Sequence, residues 1–176
     1  AAGSEVAGWG RRNIWIALPA VASLMLLATT NHVCQDVAVV PLLWVVPLAL
    51  YLLSFIVCFD HPRWYVRKIW PPFAAFSVLL VAFGELFRKQ LSFVNQVALY
   101  FPMLFLVCMV CHGELARLRP HPRRLTEYYL LIAAGGALGG LLVSVLAPAV
   151  FNNYTEWTIG LVVSLIVPCA AVFQEY

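Results

Sequence analysis

Charge is what this sequence has least of. Only 11% of its 176 residues are Asp, Glu, Lys or Arg, 63% are hydrophobic, and the mean hydropathy is +0.88. A water-soluble domain carries roughly 25% charged residues, so the shortage excludes one and requires a lipid solvent. Strand-like alternation, low-complexity tracts and heptad runs are also missing. So are a Ser/His/Asp set, carboxylates paired at hydrolase spacing and a nucleotide fingerprint, and no catalytic residue is assigned. GGALGG at 135–140 has neither the Gly-x-Gly-x-x-Gly spacing after a strand nor the lysine of a phosphate loop. The five cysteines (34, 58, 108, 111 and 169) are odd in number and lack extracellular spacing, which excludes a disulfide framework. Four lie within or at the ends of apolar runs, where cysteine behaves as a small hydrophobe.

What is present is apolar and segmented. Six runs, at about 13–30, 37–59, 71–87, 92–111, 126–147 and 154–173, each approach the ~20 residues needed to cross a bilayer at ~1.5 Å per residue. The fold expected is an all-α integral membrane bundle of six spans. Residues 1–12 read as a cytoplasmic linker and 174–176 as a cytoplasmic tail. AAGSEVAG has neither the basic nor the apolar region of a signal peptide, and the chain is expected to be a piece of a longer polypeptide. TTNHVCQD reads as a turn, with Asp36 as N-cap of the second span and His32 as a loop residue. Pro41 and Pro47 are expected to kink that span. Thr126 reads as N-cap of the fifth span and Glu127 as favourable to its dipole.

The few cations are distributed unevenly. Arg11 and Arg12, then Arg63, Arg67 and Lys68, then Arg117, Arg119, Arg123 and Arg124 share one side, nine in all, against Arg88 and Lys89 on the other. The positive-inside rule places the nine, and both termini, in the cytoplasm. A net charge of +3 spread over short loops is orientation chemistry, and no nucleic-acid partner is expected.

Four features remain as candidate sites. Cys108-x-x-Cys111-His112 matches the pattern of covalent haem attachment. It is discounted, because haem c is attached on the outer face whereas this end is read as cytoplasmic, and no cofactor or metal is expected. His112, Glu114, Arg117 and Arg119 form a polar knot, a clamp between loop and bundle or else a gate or docking surface, with an easy Glu114–Arg117 pair three residues apart. Glu85 is the candidate ionisable group near the membrane, with an interfacial pair to Arg88 and Lys89 as its plainest role. Gly135 with Gly139, and Gly136 with Gly140, give the fifth span a face for close helix packing, in the monomer or against another subunit.

TTNHVCQDVAVVPLLWVVPLALYLLSF and CHGELARLRPHPRRLTEYYLLIAAGGALGGLLVSVLAPAVF cover, with their spacing, about half the chain. Their His-Gly-Glu-Leu, Leu-Thr-Glu-Tyr-Tyr and Gly-Gly-x-x-Gly-Gly pieces resemble the membrane part of certain bacterial proteins. In those, a major-facilitator-like region precedes a spermidine-synthase-like domain. The resemblance implies the second six-helix half of such a region in the bacterial inner membrane. Its partners would be the lipid bilayer, other membrane helices and a cytoplasmic synthase-like domain. The glycine-rich cofactor loop and acidic residues of that domain are absent here, so no synthase chemistry falls on any residue. The function expected is a transporter-like module that also anchors such a domain. The alternative is a non-catalytic structural subunit of a larger membrane complex, respiratory or photosynthetic.

Overall fold

The computed structural model describes residues 9–36, 42–85, 92–146 and 155–173. Of these, 90% are helical and none is in a strand. Among the described residues six α-helices follow in order: α1 (Trp9–Asp36), α2 (Val45–Asp60), α3 (Trp70–Glu85), α4 (Phe93–Arg117), α5 (Leu125–Leu141) and α6 (Thr155–Phe173). Short 3₁₀ turns at Pro62–Trp64 and Pro122–Arg124 precede α3 and α5, and α5 runs on into a π-helical turn at Leu142–Leu146.

Three stretches, Gly10–Val33, Phe93–Arg117 and Pro122–Val145, are helices long and apolar enough to cross a membrane. Val45–Asp60, Trp70–Glu85 and Trp157–Ala171 are apolar but shorter. A helix of 16 residues such as α2 or α3 reaches ~24 Å at 1.5 Å per residue. Helices α2, α3, α5 and α6 turn several large apolar side chains outward. On α3 the buried face is Ala74, Val78 and Val81, while Phe73, Phe76, Leu79, Leu80 and Phe83 stand exposed. Soluble monomers rarely expose contiguous apolar patches of more than a few hundred Å², so these faces fit an integral membrane protein.

Helix α1 is the hub. Its buried positions Trp15, Leu18, Ala22, Met25, Thr29 and His32 recur alternately three and four residues apart, and it packs against α5, α4, α6 and α2. The tightest contact is with α5. A Cβ on Gly135 would strike the Ile16 carbonyl, and one on Gly139 would strike the Ala20 carbonyl. Gly136 has nothing within 4 Å of its would-be Cβ, and Gly140 only ordinary contacts with Leu27 and Ser23. Of the two overlapping glycine pairs, 135/139 is therefore the packing face, and it is turned inward.

Several boundaries differ from those read in the sequence. TTNHVCQD is the last part of α1 rather than a turn, and Asp36 ends that helix instead of capping the next. His32 permits this, because its Nε2 meets Glu85 inside the bundle. Helix α2 starts at Val45; Pro47 lies in its first turn, buried, whereas Pro41 and the expected start at 37 fall outside the described residues. Helix α4 continues past 111 to Arg117, carrying the whole His112–Arg117 stretch on helix. Thr126 lies inside α5, whose N-cap position is Arg124 with no side-chain cap. Glu127 lies in the first turn of α5, as expected, and also pairs with Arg12 of α1 at 2.7 Å. Arg88 and Lys89 lie outside the described residues.

Candidate functional site

Helix ends gather at two poles, and each holds an acid, Glu85 half-buried at one and Glu114 fully buried at the other. At the first, the end of α3 brings Glu85 against the end of α1 and the starts of α4 and α6. One carboxylate oxygen, Oε1, accepts from Tyr100 Oη at 2.7 Å and from Trp157 Nε1 at 3.2 Å, and lies 3.1 Å from His32 Nε2. The rings stack around it: His32 lies flat on Trp157 (4.6 Å between centroids, 6° between planes) and edge-on to Tyr100 at 5.1 Å. Tyr100 and Trp157 both donate to this carboxylate, and the His32 side chain is 2% exposed. Four helices thus meet on a single oxygen beside a second titratable ring. The hydrogen bonds on this oxygen tie the four helix ends together, so a change of charge at Glu85 would be felt by all four.

At the opposite pole stands Glu114, fully buried on α4. Its partner is Arg67, not Arg117. Arg67 approaches side-on, Nε to Oε1 at 3.1 Å and Nη2 to Oε2 at 3.1 Å, while Tyr65 Oη donates to Oε1 at 2.8 Å. The Nη2–Oε2 contact is a charge-assisted hydrogen bond, roughly twice as strong as a neutral one, and Nε adds an ion-pair contact beside it. Arg67 also reaches the Ala171 carbonyl at 3.4 Å, which binds the end of α6 into the same knot. Burial, with Glu114 beside it, pushes the Tyr65 phenol above its ordinary range, so it remains a neutral donor. The ring lies where a Cβ on residue 113 would be, so Gly113 is what lets the loop dock on α4. Trp15 Nε1 donates to the Leu118 carbonyl at 3.2 Å and Tyr128 Oη to the Leu115 carbonyl at 2.6 Å. These bonds satisfy the last turn of α4 from α1 and α5.

The expected knot of His112, Glu114, Arg117 and Arg119 is therefore divided. His112 points away from Glu114 toward α2, where Nδ1 lies 2.9 Å from Ser54 Oγ. The Ser54 hydroxyl donates to the Tyr51 carbonyl at 2.7 Å, so Nδ1–H is the donor to Ser54 and Nε2 carries the lone pair. That Nε2 is buried and meets no hydrogen-bond partner among the described residues. Cys108 and Cys111 are fully buried on the same helix. Arg117 and Arg119 are exposed and line a cleft.

Sequence reading missed His32, Tyr100 and Trp157 as partners of Glu85, and Arg67 and Tyr65 as partners of Glu114. Each of the five sits at or near the end of a different apolar run from its acid, where belt aromatics and orienting cations belong, and nothing in the spacing distinguishes the two uses. Comparison with family models, curated proteins and solved structures finds no match to this chain.

Proposed function

We propose that the chain is a transporter-like membrane module of six spans with both termini cytoplasmic. On this reading it is the second half of a facilitator-type region in a bacterial inner membrane, anchoring a cytoplasmic synthase-like domain. The observation that carries transport is the Glu85 junction. An acid in a membrane helix is costly and, by default, marks an ion or substrate path, and here its protonation would bear on the ends of α1, α3, α4 and α6 together. The topology is supported by where the cations fall: Arg63, Arg67 and Lys68 adjoin the same pole as Arg117, Arg119, Arg123 and Arg124. The structural-subunit alternative is weakened at one point, because the Gly135–Gly139 face is filled by α1 of the same chain.

The test needs no knowledge of the substrate. In proteoliposomes adsorbed on a solid-supported electrode, a pH step should evoke a transient current from the wild-type chain. Glu85→Gln, which keeps the shape and the accepting oxygen but takes up no proton, should abolish it. A wild-type trace equal to that of empty liposomes would remove the transport reading and leave the subunit reading in its place.

A further inference from the structure

A cleft of about 500 Å³ opens at the Arg67 pole, between the last turns of α2 and α4 and the turn at Pro62–Trp64. Its wall is apolar where Phe59, Gly113 and Ala116 contribute, and charged where Asp60, Arg117 and Arg119 do. Ion pairs among the described residues are Arg12–Glu127, His32–Glu85 and Arg67–Glu114; none uses a charge of the cleft. Two guanidinium groups and one carboxylate therefore face this space with their bonding capacity unspent, and with one positive charge in excess.

We propose that this cleft binds the phosphate-bearing headgroup of a membrane lipid, the phosphate between Arg117 and Arg119 and a headgroup N–H or O–H donor on Asp60. A phosphodiester carries a single negative charge that two guanidinium groups can share, and they match its oxygens in geometry. The surroundings select a lipid over a soluble phosphate ester. The loop beside the cleft exposes Arg63 and Lys68 alternating with Trp64, Val66 and Ile69, the mixture of cations and aromatics found at headgroup level. Basic pockets between membrane helices take up anionic head groups in the same way. Asp60 adds a preference: ethanolamine and glycerol headgroups offer it hydrogen-bond donors, and choline offers none. The site does not depend on transport; a chain that only anchors would keep it, and a silent pH step would leave it standing.

Native mass spectrometry of the full chain, titrated with phosphatidylethanolamine, phosphatidylglycerol and phosphatidylcholine, tests this. Ethanolamine and glycerol lipids should be retained about tenfold better than choline lipid, the size of effect that one charge-assisted hydrogen bond gives. The pair Arg117→Gln and Arg119→Gln should lose that retention, and Asp60→Ala should erase the preference for ethanolamine over choline. All three side chains are exposed, and an unchanged thermal melt confirms that each variant is folded. Equal retention of the three lipids, or full retention in the arginine pair, would overturn the proposal. Displacement of the lipid by millimolar inorganic phosphate, with phosphate bound in its place, would assign the cleft to a soluble phosphate and overturn the lipid assignment.

Discussion

Arg67→Met is expected to cost about 3–5 kcal/mol of stability, the usual consequence of removing one partner of a buried ion pair. The reason lies in what remains. Glu114 has no exposed surface, so without the guanidinium its one partner among the described residues is the Tyr65 hydroxyl, which does not compensate a buried charge. The double variant Arg67→Met/Glu114→Leu should recover most of that loss, because an apolar pair of similar volume needs no charge compensation. Unfolding by sodium dodecyl sulfate in mixed micelles measures both. A single variant as stable as the wild type would mean that the Arg67–Glu114 contact does not hold the loop, α4 and α6 together. A double variant no better than the single one would move the cost from electrostatics to lost packing of the arginine stem.

Gly139→Ala should be the second large effect, and Gly136→Ala its control. The added methyl at 139 meets the backbone of Ala20, carbonyl oxygen first. Backbone cannot turn aside as a flexible side chain can, so α1 and α5 must separate. Overpacking of this kind costs about 1–3 kcal/mol. At 136 the same methyl enters open space, and a change within about ±0.5 kcal/mol is expected there. The same micelle titration separates them. Equal losses at 136 and 139 would show that the glycine stripe works through helix propensity or lipid contact rather than through close approach to α1.

How much of this was legible in the sequence depends on the range of the interaction. The helical class follows from local facts, namely charge scarcity and the length of the apolar runs. Glycines spaced four apart signalled close packing, but both registers are equally plain in the sequence. Only the position of Ile16 and Ala20 selects 135 and 139. The buried stripe of α1 has three-and-four spacing yet was not visible as a heptad, because Thr29 and His32 interrupt its apolar side chains. His32 shows the limit most clearly. A histidine beside Asn31 reads as loop, and what keeps it helical is a carboxylate 53 residues away. Likewise Glu114 was matched to the nearest arginine on its own helix, whereas the partner comes from the loop after α2. Local geometry permits Arg117; burial decides for Arg67, which can reach Glu114 inside the bundle while Arg117 stays at the surface.

The most direct measurement concerns the two poles, because the positioning of Glu85, the Arg67 knot and the lipid cleft all depend on their lying on opposite faces of a membrane. Arg63→Cys, Arg123→Cys and Ser92→Cys place thiols at exposed positions, the first two at the Arg67 pole and the third at the Glu85 pole. A membrane-impermeant maleimide, applied to right-side-out and then to inside-out vesicles, reads the face of each above the background of the native cysteines. Labelling of 63 and 123 only from the cytoplasmic face, and of 92 only from the opposite face, is the expected result. Labelling of 63 and 92 from the same face would contradict the six-span arrangement and, with it, the transport reading of Glu85.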